Sequence, residues 1–140
     1  MPNLSPPSRV PYCLAMVLAD GTHRDPETGK ITILGTFHSV HARNLPAPLD
    51  FAVYFAVTDC LGRSKLRIEF VDELQHLDDD SEGPIYSAEI DIESDDPLSM
   101  IEVVVNIHVD IEREGVYYCE LYARDAPLMS RRVIVKEVES

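Results

Sequence analysis

Ile101, Glu102, Val103, Val104, Val105, Asn106, Ile107, His108, Val109, Asp110 and Ile111 form the stretch whose reading decides the fold. The odd positions are all Ile or Val, and the even positions are polar except for Val104. A period of two puts one set of side chains on one face of a β-strand, whereas a helix would scatter the same residues around its axis. β-Branched residues also favour the extended backbone. At about 3.3 Å per residue the segment extends roughly 36 Å, longer than an ordinary strand. A bulge or bend carrying it between two sheets is therefore expected.

Outward from this strand the same reading gives seven more. Tyr12–Ala19 is an unbroken apolar run ended by Asp20 and Gly21, predicted as a strand buried on both faces. Asp25–Lys30 is a turn leading to Ile31–Phe37, with Ile31, Ile33 and Phe37 inward. Phe51–Val57 is apolar on both faces, and Lys65–Phe70 alternates with Leu66, Ile68 and Phe70 inside. Tyr86–Glu93 alternates with acidic residues outward, so antiparallel pairing with the basic face of Lys65–Phe70 brings Arg67 near Asp91. Tyr117–Tyr122 and a last strand around Val133 and Val135 complete the set. The fold class predicted is all-β, an immunoglobulin-like antiparallel β-sandwich of about eight strands. Its expected core holds Ile33, Phe37, Val53, Phe55, Ile68, Ile90, Val105, Ile107, Tyr117 and Leu121. Residues 1–11, with four prolines, are expected to be a flexible tail, and residues 12–140 one sandwich domain.

Composition excludes several functions. Twenty-five acidic residues against twelve basic ones give a net charge of −13, a field that repels phosphate backbones and anionic lipid. Neither nucleic acid nor membrane is an expected partner. Cys13, Cys60 and Cys119 match no zinc or redox spacing and point to reduced thiols in a cytoplasmic protein, with a Cys13–Cys119 bridge left open. The N-terminus has no apolar core of a signal peptide, and no apolar run is long enough to span a bilayer.

Glu114, Gly115, Val116, Tyr117, Tyr118 and Cys119 resemble the Gly, any, Tyr, any, Cys pattern at the start of strand F in immunoglobulin-like domains. The resemblance implies a tyrosine corner, with the Tyr117 hydroxyl bonding back to the chain just upstream. The order Tyr12–Leu14, Glu27–Phe37 with its TGKITILGTF run, a Pro-containing loop and Val53–Phe55 is similar to a family of short bacterial β-sandwich proteins of unknown function. That similarity implies a fold and a bacterial origin, and no activity.

No nucleophile elbow, phosphate-binding loop or dinucleotide fingerprint is present. His38 and His41, three apart, would face opposite sides of a strand and read as loop-end residues rather than a metal pair. Cys119 reads as a buried inert thiol, its face turned away from that of His108. Arg131, Arg132 and Lys136 read as charges balancing nearby carboxylates.

The function expected is a non-enzymatic protein-interaction or assembly module, needing no cofactor. Its expected interface is Ala52, Tyr54 and Ala56, because two strands without a polar face leave a small-residue apolar patch outside the sheet, covered by a protein partner or in a homodimer. The alternative is a Ca²⁺-dependent ligand or lipid binder using Asp72, Asp78, Asp79, Asp80 and Glu82 in the acidic loop 72–82. A hydrolase without a recognisable motif is the second alternative.

Overall fold

The computed structural model describes residues 10–74 and 83–138. They form nine strands in two sheets: β1 (Tyr12–Arg24), β2 (Ile31–Thr36), β3 (Ser39–Ala42), β4 (Ala47–Thr58), β5 (Gly62–Asp72), β6 (Tyr86–Ser94), β7 (Ile101–Ile111), β8 (Gly115–Ala123) and β9 (Ala126–Glu137). One sheet has the order β2-β1-β4-β7 and the other β3-β9-β8-β5-β6. The all-β reading holds, and eight of the strands match the predicted segments, β2 ending at Thr36, one residue short of Phe37.

β3 is the addition. Its four residues run parallel to β9, with Val40 opposite Val135, so the fold is not wholly antiparallel. β7 corrects a second expectation. It neither bends nor changes sheet, because β4 is long enough to match it residue for residue from Ala47 opposite Ile111 to Val57 opposite Ile101. The irregularities lie elsewhere, between Cys13 and Ala15 in β1 and between Leu121 and Tyr122 in β8. Pro48, which the sequence places in a connection, lies inside β4. It pairs there with Asp110 of β7 beyond the reach of β1, on a side of the strand where no ladder donor is required.

The core lies between the sheets. Val53, Phe55, Ile68, Ile107, Tyr117 and Leu121 are buried in it as expected, while Phe37, Ile90 and Val105 pack at its margin and Ile33 lies outside it. A row of rings crosses from one sheet to the other: Phe37 meets Phe51 edge-on at 5.7 Å, Phe51 meets Phe70 at 5.4 Å, and Phe70 stacks on Tyr117 at 5.6 Å. On one flank Arg131 Nε donates to the Met16 carbonyl at 2.9 Å, linking β9 to β1 across the sandwich. The Tyr117 hydroxyl donates to the Arg113 carbonyl at 2.6 Å, the upstream bond that the strand pattern implied.

Candidate interaction surface

Because side chains alternate, register determines what the outer face of the four-stranded sheet presents. On β4 the outward residues include Ala52, Tyr54 and Ala56; their partners are Ala19, Val17 and Ala15 on β1, and Asn106, Val104 and Glu102 on β7. Val17, Tyr54 and Val104 thus stand side by side across three strands. The β1 bulge lets Leu14 emerge next to Tyr12, and these two are 48% and 65% exposed.

The exposed alanine patch expected from sequence needs correcting. Ala52 and Ala56 are each only 1% exposed, because β4 is an interior strand and the longer side chains around them cover a lone methyl group. Tyr54 is half-buried, and its hydroxyl donates to Glu102 at 2.5 Å. Burial, then the bond to Glu102 and its charge, push that hydroxyl up to about 12, so it remains a protonated donor at neutral pH. The apolar material that water reaches on β1, β4 and β7 is therefore Tyr12, Leu14, Val17, Tyr54 and Val104, with Leu34 of β2 also exposed. Tyr12 and Leu14 lie in the run first read as buried on both faces; only the bulge, which no local sequence signal marks, turns Leu14 outward.

The outer face of the five-stranded sheet is different in kind. Arg67 bonds Glu69 at 3.1 Å and Asp125 at 2.8 Å, and its guanidinium lies 4.5 Å from the centre of the Tyr122 ring. The Tyr118 hydroxyl donates to Glu73 at 3.2 Å. Lys65 pairs with Glu89, and Arg63 with Glu93. The expected charge complementarity between β5 and β6 is present, but with a different partner: Arg67 lies opposite Glu89, and Lys65 opposite Asp91. Polar groups on this face mostly satisfy one another, as on a solvated surface.

The remaining candidate residues do not converge. Asp72 is buried and occupied: one carboxylate oxygen accepts from Arg113 Nε at 2.8 Å and the other from the Leu74 amide at 3.0 Å. Asp78, Asp79, Asp80 and Glu82 lie outside the described residues. His38 and His41 are exposed at and beside β3, and no metal-ligating cluster forms among the described residues. Cys119 points into the core on β8 while His108 is exposed on β7 in the other sheet, next to Asp50. Cys13, Cys60 and Cys119 are all buried free thiols, so no bridge joins Cys13 to Cys119. Burial, with the charge of Glu120, pushes the Cys119 thiol up to about 12. Arg131 is engaged in linking the sheets, and Arg132 and Lys136 are exposed on β9. An open groove of about 770 Å³, lined by Leu61, Glu93, Asp95 and Ile101 among others, lies where β5, β6 and β7 meet; sequence reading missed it because its walls come from three separate segments.

No helix among the described residues is long and apolar enough to cross a membrane. No curated protein matches the chain. A family model does match residues 14–136, which takes in every strand almost from end to end. The chain therefore belongs to DUF6941, a family of unknown function.

Proposed function

We propose that this protein is a non-enzymatic interaction module whose contact surface is the outer face of the four-stranded sheet, covered by a second copy of the chain. The observation that carries the reading is the row Val17, Tyr54, Val104 with Tyr12 and Leu14 beside it, an apolar strip on a protein of net charge −13. Contiguous apolar surface on an otherwise charged molecule usually marks a contact. Long-range repulsion between two acidic copies fades beyond about 8 Å at physiological salt. The calcium alternative loses Asp72 to Arg113, and the three thiols that a hydrolase could use as nucleophiles are all buried.

The architecture we propose for the module is immunoglobulin-like. Support comes from β4 lying beside β7 in one sheet, the order β9-β8-β5-β6 in the other, the short parallel β3 along β9, and the Tyr117 bond to Arg113.

Light scattering on wild type, Tyr54→Phe and Tyr54→Glu tests the contact face. Wild type and Tyr54→Phe are expected to exceed monomer mass at micromolar concentration, while Tyr54→Glu, which sets a second carboxylate near Glu102, is monomeric and still folded. Monomers in all three, with matching stability, would overturn the reading.

A further inference from the structure

The four strands at the margins of the two sheets are β2, β7, β3 and β6. An unpaired edge invites another strand, and proteins usually blunt it by shortness, charge, proline or a bulge. β3 has four residues, β2 has six with Gly35 at φ +71°, and β6 carries Glu89, Asp91 and Glu93. β7 carries two carboxylates, Glu102 and Asp110, but it is neither short nor broken by proline or a bulge. Its eleven residues contain no proline, glycine or lysine and pair with β4 without a register shift. Among the described residues no other backbone group bonds to it. β6 and β7 touch only sparsely on that side of the sandwich, which leaves Ile101, Val103 and Val105 of β7 and Ile90 of β6 only half-buried.

We infer that the free edge of β7 takes an extended, basic segment of a partner protein, which adds to the four-stranded sheet as its fifth strand. Strand addition supplies backbone hydrogen bonds for affinity and seats alternate side chains for specificity. Here the seats are the half-open apolar positions Ile101, Val103 and Val105. Charge selects the partner: residues 86–111 hold seven carboxylates and not one lysine or arginine, and the two paired with β5, Glu89 with Lys65 and Glu93 with Arg63, lie on β6 rather than on β7. The groove of about 770 Å³ at the start of β7 sets Asp95, and Glu93 with its partner Arg63, beside Leu61 and Ile101, a socket for a lysine or arginine stem with its cation at the rim near Asp95. A second copy would bring the same carboxylates against themselves. The inference shares with the proposed function the idea of an interaction module, but it uses the edge of the sheet rather than its face.

The probes are eleven-residue peptides alternating valine with lysine, or valine with glutamate, and two N-methylated versions of the lysine peptide that block opposite alternating sets of amides. Binding is read by fluorescence anisotropy on the full chain, and its location by hydrogen exchange. The lysine peptide is expected to bind one to one and slow exchange in β7, and the glutamate peptide not to bind. An added strand bonds through alternate amides only, so one N-methylated peptide should lose at least tenfold in affinity while the other, of identical charge, binds normally. Equal binding by both would reduce the effect to charge and overturn the inference. So would slowed exchange on another strand, or β7 edge amides already protected without peptide, by residues 1–9 or by a second copy. Tyr54→Glu is expected to bind the lysine peptide as wild type does; loss of peptide binding with Tyr54-dependent association intact would sink the edge and leave the face.

Discussion

Tyr117 ties the start of β8 to the turn before it through a single bond from its hydroxyl to the Arg113 carbonyl, inside a ring stack with Phe70. Tyr117→Phe keeps the stack and removes the bond, so it should cost about 1 kcal/mol in a urea titration. The same turn positions Arg113 against the buried Asp72, a pairing across 41 positions that no local pattern announces. The Tyr117 bond was legible because its pattern is compact; the Asp72 pairing was not, because it depends on the end of β5 meeting the turn before β8 in space. Protonation links these small-scale facts to stability. Cys119, Tyr54 and Tyr122 are all held up at about 12, chiefly by burial, whereas the unfolded chain releases such protons near 8.5 for Cys and 10 for Tyr. Between those values the unfolded state binds fewer protons than the folded one, so stability must fall as pH rises. The melting temperature is expected to hold up to about pH 8.5 and to drop progressively toward pH 12. Thiol reagents should leave Cys119 unlabelled at pH 8 until the protein is denatured, consistent with its complete burial.

At the scale of elements, β7 shows how far periodicity can be trusted. Its alternation correctly gave a strand with one inward face, but length alone could not say that β4 would match it along its whole course. Burial along β7 is graded: Ile107 is closed off in the core while Ile101 sits half-open beside the groove. Ile107→Ala should therefore cost about 3 kcal/mol and Ile101→Ala roughly 1, read from denaturant midpoints at constant slope. Equal costs would mean that the β6–β7 side is closed. β3 escaped notice because four residues with a single large apolar side chain, Val40, give no period to count, and its parallel partner lies nearly a hundred residues away. The two-residue offset between Arg67 and Asp91 has a similar origin. Both registers pair opposite charges on the same faces, so the core fit of Leu66 opposite Ile90 and Ile68 opposite Ala88 decides between them.

For the molecule as a whole, the two outer faces differ in kind. The five-stranded sheet faces water with charges and phenols that mostly satisfy one another, while the four-stranded sheet presents Tyr12, Leu14, Val17, Tyr54 and Val104. The sequence made this apolar face legible through its two non-alternating strands and named Tyr54 on it, yet it counted Ala52 and Ala56, which are buried. An alanine on an interior strand is covered by its neighbours, and no one-dimensional pattern shows which strands are interior. Hydroxyl-radical footprinting across a protein concentration series, read by mass spectrometry at physiological salt, tests the proposed contact most directly. Oxidation of Tyr12, Leu14 and Tyr54 is expected to decline as concentration rises while that of Tyr118 and Tyr122 stays constant. Unchanged oxidation on both faces, or protection confined to Tyr118 and Tyr122, would contradict it.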